Sequence, residues 1–152
     1  MNREEIVKRV EEKIRQANTV IYRRGRSILA GMEISSSQFN ALLALQEFGP
    51  LTMGELCKQL FTACSTATDL ADRMERAGLV ERVRDKKDRR VVRMHLLPPG
   101  DEVVNQVISE RRRFLSEVLM AYSEQEQDEL LNKLSLLAER MDDIDKVGKL
   151  NS

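Results

Sequence analysis

Residues 65–100 read STATDLADRMERAGLVERVRDKKDRRVVRMHLLPPG, and the pattern changes three times along them. The opening part has helical spacing: Leu70, Met74 and Ala77 are predicted to face inward, and Ser65, Thr66, Thr68, Asp69 and Arg73 to form a small polar outer face. Gly78 is a natural helix stop. LVERVR and RRVVRMHLL then alternate as strands do, with Val92, Met94 and Leu96 on one side, and the DKKD between them supplies Asp85 and Asp88 to shape a turn. Pro98-Pro99-Gly100 breaks the second strand and can start a helix, because proline at the first helical position lacks only an amide that would go unpaired.

Charge is concentrated in the same stretch. The chain has 25 basic and 25 acidic residues, yet from residue 73 to 93 there are nine basic against four acidic, a net of +5. From residue 123 to 147 there are three basic against eight acidic, a net of −5, so only the middle of the chain favours a polyanion.

Upstream, TMGELCKQL carries a capping-box pair, Thr52 and Glu55, and puts residues 53, 56, 57 and 60 on one apolar face. SSSQFNALLALQEFG opens with a second such pair, Ser35 and Gln38, and stops at Gly49-Pro50. Two short helices joined by three or four residues form a helix-turn-helix, here without the usual turn glycine, and a basic hairpin directly after it is a wing. Further out, Ile6, Val10, Ile14, Ala17, Ile21 and Ile28 mark one long N-terminal helix. Val104, Val107, Ile108, Phe114, Leu115, Val118 and Tyr122 mark another. After Ser123 and Glu126, a third capping box, Leu130, Leu134, Leu137, Met141 and Ile144 recur at coiled-coil-like steps.

With 152 residues the chain supports one sizeable core, and 41% hydrophobic, 33% charged and only 4% aromatic residues favour a helix-rich protein packed with aliphatic side chains. The charged N-terminus has no signal core, and no run approaches the ~20 apolar residues needed to span a bilayer, so a cytoplasmic protein without membrane contact is expected. Cys57 and Cys64 match no zinc-ligand spacing and both are expected to be reduced. Cys57 shares the apolar face of its helix; Cys64 falls in the first turn of the next, where oxidation would disturb the outer face, and is a candidate redox site. His95, the only histidine, has no partner of metal-binding type and is assigned no role. No metal, cofactor or catalytic residue is expected: there is no glycine-rich phosphate loop, no ligand cluster and no nucleophile beside a base.

Residues 65–100 and the order of elements around them resemble the MarR family of winged-helix transcription regulators, and the resemblance covers nearly the whole chain. It rests on the recognition-helix segment, the GLV-R step into the hairpin and the D-x-x-D-R-R wing. The fold it implies is mainly α with a small β-hairpin wing: an N-terminal dimerisation helix (1–34), a winged helix-turn-helix lobe (35–97), C-terminal dimerisation helices (98–147) and a frayed tail (148–152), all in one unit. The implied function is that of a sequence-specific regulator, a repressor, binding a pseudo-palindromic double-stranded DNA operator as a homodimer and released by a small lipophilic or phenolic effector.

Particular residues follow from this. Ser65, Thr66, Thr68 and Asp69 would meet base edges or phosphates in a major groove ~12 Å wide, and Arg73 a phosphate. Lys86, Lys87 and Arg89 sit at the wing tip, with Arg89 the candidate for insertion into an A·T-rich minor groove. By resemblance Arg90 pairs with Asp72 and braces the wing. Ser36 and Ser37, opening the second helix, offer amides or hydroxyls to the DNA backbone, or serve as caps, or both. Ile6, Val10, Ile14, Val118, Leu130, Leu134, Leu137 and Met141 are the dimerisation residues, since the long helices carry more apolar face than one small lobe covers. Two departures stand out. Asp69 occupies a position that is often basic in the family, and Leu97 replaces a capping threonine, so the fifth helix must start through Pro98 or Pro99. The alternative reading is a winged-helix protein-interaction module that does not bind DNA.

Overall fold

The structure, a computed structural model, describes residues 1–151. Helix α1 (Arg3–Gly31) is followed by α2 (Ser36–Phe48), a two-residue strand β1 (Leu51–Thr52), α3 (Met53–Leu60), α4 (Cys64–Arg76), β2 (Val80–Arg84), β3 (Val92–Leu96), α5 (Pro98–Leu119) and α6 (Glu124–Leu150). The fold is mainly helical with a three-stranded antiparallel sheet in the order β1-β3-β2, so the hairpin is extended by one strand too short to show in a period-2 pattern. Two compact units are present, residues 1–112 and residues from Arg113 onward. The division falls inside α5. The reason is that Val103, Val104 and Val107 of its N-terminal half are buried in the core of the first unit.

Local chemistry sets the helix starts. In α1, α2, α3 and α6 a capping box closes the first turn, through Asn2/Glu5, Ser35/Gln38, Thr52/Glu55 and Ser123/Glu126. Helix α5 starts at Pro98, as Leu97 required. At its far end α6 remains helical through Leu150, where fraying was expected from residue 148. Ion pairs Asp142–Lys146 (2.6 Å) and Asp145–Lys149 (2.7 Å) at i,i+4 spacing explain the continuation; Ser152 lies outside the described residues.

Phe39, Leu42 and Leu45 of α2, Leu56 of α3, Met74 of α4, Val80 and Met94 of the sheet and Val104 and Val107 of α5 form the core of the first unit. In α4 the buried stripe is Ala67, Ala71 and Met74, while Leu70 is half-buried and Ala77, expected inside, is exposed. Ala77 is the C-cap, beyond the last packed turn, and the small Ala67 and Ala71 let α4 lie close to its neighbours. Close approach also explains Gly100: a Cβ there would stand 2.3 Å from the Leu79 carbonyl oxygen and 2.7 Å from Leu96 Cδ1. The second unit differs in kind. Among the described residues of α6, 27 in all, none is buried.

Candidate nucleic-acid interface

Helix α4 and the wing form the candidate surface. Ser65, Thr66, Thr68, Asp69 and Arg73 are all exposed on α4. Its N-cap is Ala63, which makes no side-chain cap bond, so the first-turn amides of α4 have no competing protein oxygen of the kind that caps α2 and α3. Thr68 Oγ1 donates to the Cys64 carbonyl at 2.8 Å, which leaves the hydroxyl oxygen as an acceptor toward the outside. Asp69 and Arg73 pair across one helical turn at 3.2 Å. The carboxylate at the unusual position therefore has a cation beside it.

The wing turn is built by its two aspartates. Asp85 Oδ1 accepts from the Lys87 amide at 2.8 Å, and Asp85 Oδ2 from the Arg93 guanidinium. These bonds, the backbone one first, hold the Asp85 carboxyl below the usual carboxylate range. Asp88 accepts from the guanidinium and the amide of Arg90, at 3.1 Å each, and is likewise held low, first by the Arg90 side chain. Arg84 Nη1 donates to the Arg89 carbonyl at 2.9 Å, tying strand to loop. Lys86, Lys87 and Arg89 are exposed at the bend and turn, and none of the three forms an ion pair among the described residues.

The brace between wing and helix is present but its cation differs from the one expected. Asp72 pairs with Arg82 at 2.5 Å, and Arg90, 91% exposed, pairs with Asp88 inside the turn. Position decides this. Arg82 lies opposite the buried Met94 in the β2–β3 register and so points to the inner face of the sheet, toward α4, whereas Arg90 sits outside the ladder. Arg82 also pairs with Glu75 Oε1 at 3.0 Å, and its amide donates to Glu75 Oε2 at 2.9 Å. The Asp72 hydrogen bond is the first cause that raises the Arg82 guanidinium above its ordinary value. Glu75 and Arg82 thus belong to the site although the sequence reading assigned them no part in it.

Ser35, not its neighbours, caps α2, leaving Ser36 half-buried and Ser37 exposed with hydroxyls free of that duty. Cys57 is buried in α3 and Cys64 exposed at the start of α4, both as free thiols. In the long helices, Ile6, Val10, Ile14, Val118, Leu130, Leu134, Leu137 and Met141 are all exposed.

Comparison with known proteins bears on the family and the fold. The MarR family model matches residues 34–92, from two residues before α2 to the first residue of β3. An uncharacterised HTH-type transcriptional regulator, YsmB of Bacillus subtilis (strain 168), is 43% identical over 117 residues, covering 77% of this chain and 80% of its own length. The transcriptional repressor MprA of Escherichia coli (strain K12) is 29% identical over 123 residues, covering 80% of this chain and 70% of its own. Among solved structures, a MarR family protein from Bacillus stearothermophilus superposes with a TM-score of 0.83 at 43% identity, over 93% of this chain and 98% of that one.

Proposed function

The chain belongs to the MarR family of DNA-binding transcription regulators, and from that membership we propose that it acts as a homodimeric repressor whose α4 enters the major groove while its wing reaches the adjacent minor groove. One observation carries the reading: Arg82 joins β2 to both Asp72 and Glu75 of α4, so the exposed polar face of the helix and the unpaired cations of the wing are held in one register. Two elements that must meet one duplex together need such a fixed spacing.

On this docking Ser65 and Thr66 serve as donors or acceptors to bases and phosphates. Thr68 and Asp69 serve as acceptors toward exposed amino groups of adenine or cytosine. Arg73 leaves Asp69 to meet a phosphate, Ser36 and Ser37 contact the backbone at the start of α2, and Arg89 enters the minor groove with Lys86 and Lys87 on its rim. A second copy of the chain covers the exposed apolar residues of α1, α5 and α6, because a 27-residue helix with nothing buried gains too little from its own hydrogen bonds to persist in water. Two lobes would then read half-sites about 34 Å apart. Release by a small lipophilic or phenolic effector belongs to the same reading and rests on family membership alone. Among the described residues no helix is long and apolar enough to cross a membrane.

The test is recovery of bound genomic fragments followed by titration of a recovered fragment at several salt concentrations. Specific binding whose logarithm falls steeply with log salt is the expected result, and binding absent or insensitive to salt favours the protein-interaction module instead. For the dimer, replacing Leu134 and Leu137 by aspartate is expected to halve the mass in sedimentation. An unchanged mass would remove α6 from the interface.

A further inference from the structure

The exposed polar groups of α4 fall into two kinds. Ser65 and Thr66 carry hydroxyl protons that no protein acceptor takes up among the described residues, so each can turn to donate or to accept. Thr68 and Asp69, the next exposed polar positions along the helix, lack that freedom. The single hydroxyl proton of Thr68 is already given to the Cys64 carbonyl at 2.8 Å, and only lone pairs remain on its oxygen. Asp69 is a carboxylate, which accepts and does not donate; its Oδ2 meets Arg73 at 3.2 Å, and Oδ1 has no protein partner among the described residues. Residues 68 and 69 therefore form an acceptor-only patch.

A patch of that polarity cannot tell A·T from G·C. In the major groove each base pair displays one exocyclic amino group, on adenine or on cytosine, hydrogen-bonded to one keto oxygen, on thymine or on guanine. Turning a pair over exchanges the two and puts a keto oxygen about 2.9 Å from where the amino nitrogen stood. What an acceptor senses is the strand that carries the amino group.

We propose that Thr68 and Asp69 read the operator by this amino-or-keto distinction: the strand beneath them carries adenine or cytosine, exchange of one for the other is tolerated, and guanine or thymine is rejected. The distinction depends on α4 entering the major groove as proposed above, and it adds the class of base that such docking selects. Rejection is unequal at the two positions. Against a keto oxygen, Thr68 either forgoes one neutral hydrogen bond or gives up its bond to Cys64, a loss of about two- to tenfold. Asp69 loses more. With Arg73 drawn to a phosphate, its carboxylate is left desolvated against another acceptor, a loss of about tenfold to a hundredfold. Ser65 and Thr66 reorient and impose no such rule.

The experiment selects duplexes bound by the intact wild-type protein from a random library, then compares the enriched sequence with versions changed one base pair at a time. Wild type, Thr68→Val, Asp69→Ala and Asp69→Asn are each measured. Two further duplexes carry purine in place of the adenine or 2-pyrimidinone in place of the cytosine, which deletes the amino group alone. For the wild type we expect one position per half-site where adenine and cytosine differ by less than about threefold while guanine and thymine lose about tenfold or more. Deleting the amino group there should cost the wild type the same and Asp69→Ala nothing. Asp69→Asn, whose amide also donates, should lose most of the keto penalty, and Thr68→Val should erase a smaller preference at a neighbouring position. Guanine or thymine enriched at the Asp69-dependent position, a preference between adenine and cytosine as large as that against the keto bases, or an amino deletion that costs wild type and Asp69→Ala alike would each overturn the proposal. A wild type that enriches no sequence sinks the docking itself and this distinction with it, whereas enrichment of a keto base at that position sinks the distinction alone.

Discussion

Replacing Arg82 by alanine should separate two effects of the brace, its contribution to stability and its contribution to DNA affinity. The guanidinium makes two charge-assisted bonds, to Asp72 at 2.5 Å and to Glu75 at 3.0 Å, with side chains 30%, 47% and 39% exposed for Arg82, Asp72 and Glu75. Such bonds contribute about 1.5–3 kcal/mol each when sheltered, but water reaches all three groups and screens them, so about 1–2 kcal/mol for the pair of bonds is the reasonable figure. The Arg82 amide keeps its bond to Glu75 in the variant. Neither carboxylate is left as a buried charge. The melting temperature should therefore fall by about 2–8 °C.

Affinity should fall further than stability accounts for. A domain of only ~5 kcal/mol stability stays about 99% folded after losing 2 kcal/mol, so unfolding cannot weaken binding measurably. Loss of register between α4 and the wing can, and a decrease of about tenfold to a hundredfold is expected, since each 1.4 kcal/mol of misplaced contact is tenfold. Urea melts and gel shifts at one salt concentration measure both. Arg90→Ala is the control: its partner Asp88 lies in the same turn, so stability should change by no more than about 0.5 kcal/mol. A double-mutant cycle should give about 0.5–1.5 kcal/mol of coupling between Arg82 and Asp72. Coupling found instead between Arg90 and Asp72 would refute the assignment.

Gly100→Ala places a methyl against the Leu79 backbone carbonyl, which cannot rotate away, and should cost about 2–4 kcal/mol in urea melts; an unchanged midpoint would mean that α5 can slide off β2 at no cost. Lys86→Ala, Lys87→Ala and Arg89→Ala should each reduce the salt dependence of DNA binding by about one counterion, with stability unchanged, and a slope that stays constant removes that side chain from the phosphate contacts. The wing should also be sensitive to acid. The carboxyls of Asp85 and Asp88 are held below their unfolded values, so their contribution is complete above a pH of about 4 and is lost as pH falls through the lowered values. Amide exchange at Lys87 and Arg90, corrected for its intrinsic pH dependence, should accelerate only below that point, and acceleration near neutrality would contradict the assignment.

Features that depend on neighbours in sequence were legible, and those that depend on how two elements cross were not. Three capping boxes, the Gly78 stop and the proline start of α5 each involve residues within four positions of one another. Helix α4, the hairpin and its aspartate turn were legible for the same reason. The brace was missed because Arg82 finds Asp72 ten residues away, through the angle between a helix and a strand. A signal was available: Arg82 stands between Val80 and Arg84 on the strand face that pairs with Leu96, Met94 and Val92, an inward position where a guanidinium needs a carboxylate. Strand β1 was illegible at two residues, and the absent turn glycine gave no hint that Phe61 takes the left-handed conformation in its place.

The net charge of the middle segment understates how selectively its cations are deployed. Glu75, Asp85 and Asp88 are paired with Arg82, Arg93 and Arg90, and these pairs shape the wing and fasten it to α4. On the docking proposed above, Lys86, Lys87 and Arg89, which lie at the tip and are unpaired there, are left to face DNA, and the acidic residues aim the positive charge more than they dilute it. Asp69 extends the same logic to the helix. Its pair with Arg73 is 63% exposed on both sides and, on the docking proposed above, opens when α4 meets DNA. Arg73 recovers a partner at any phosphate, but Asp69 recovers one only where a base presents an amino group, so a site without that donor leaves a desolvated carboxylate. On that docking a basic residue at this position would raise affinity for all DNA alike, whereas the carboxylate would lower it chiefly at wrong sequences.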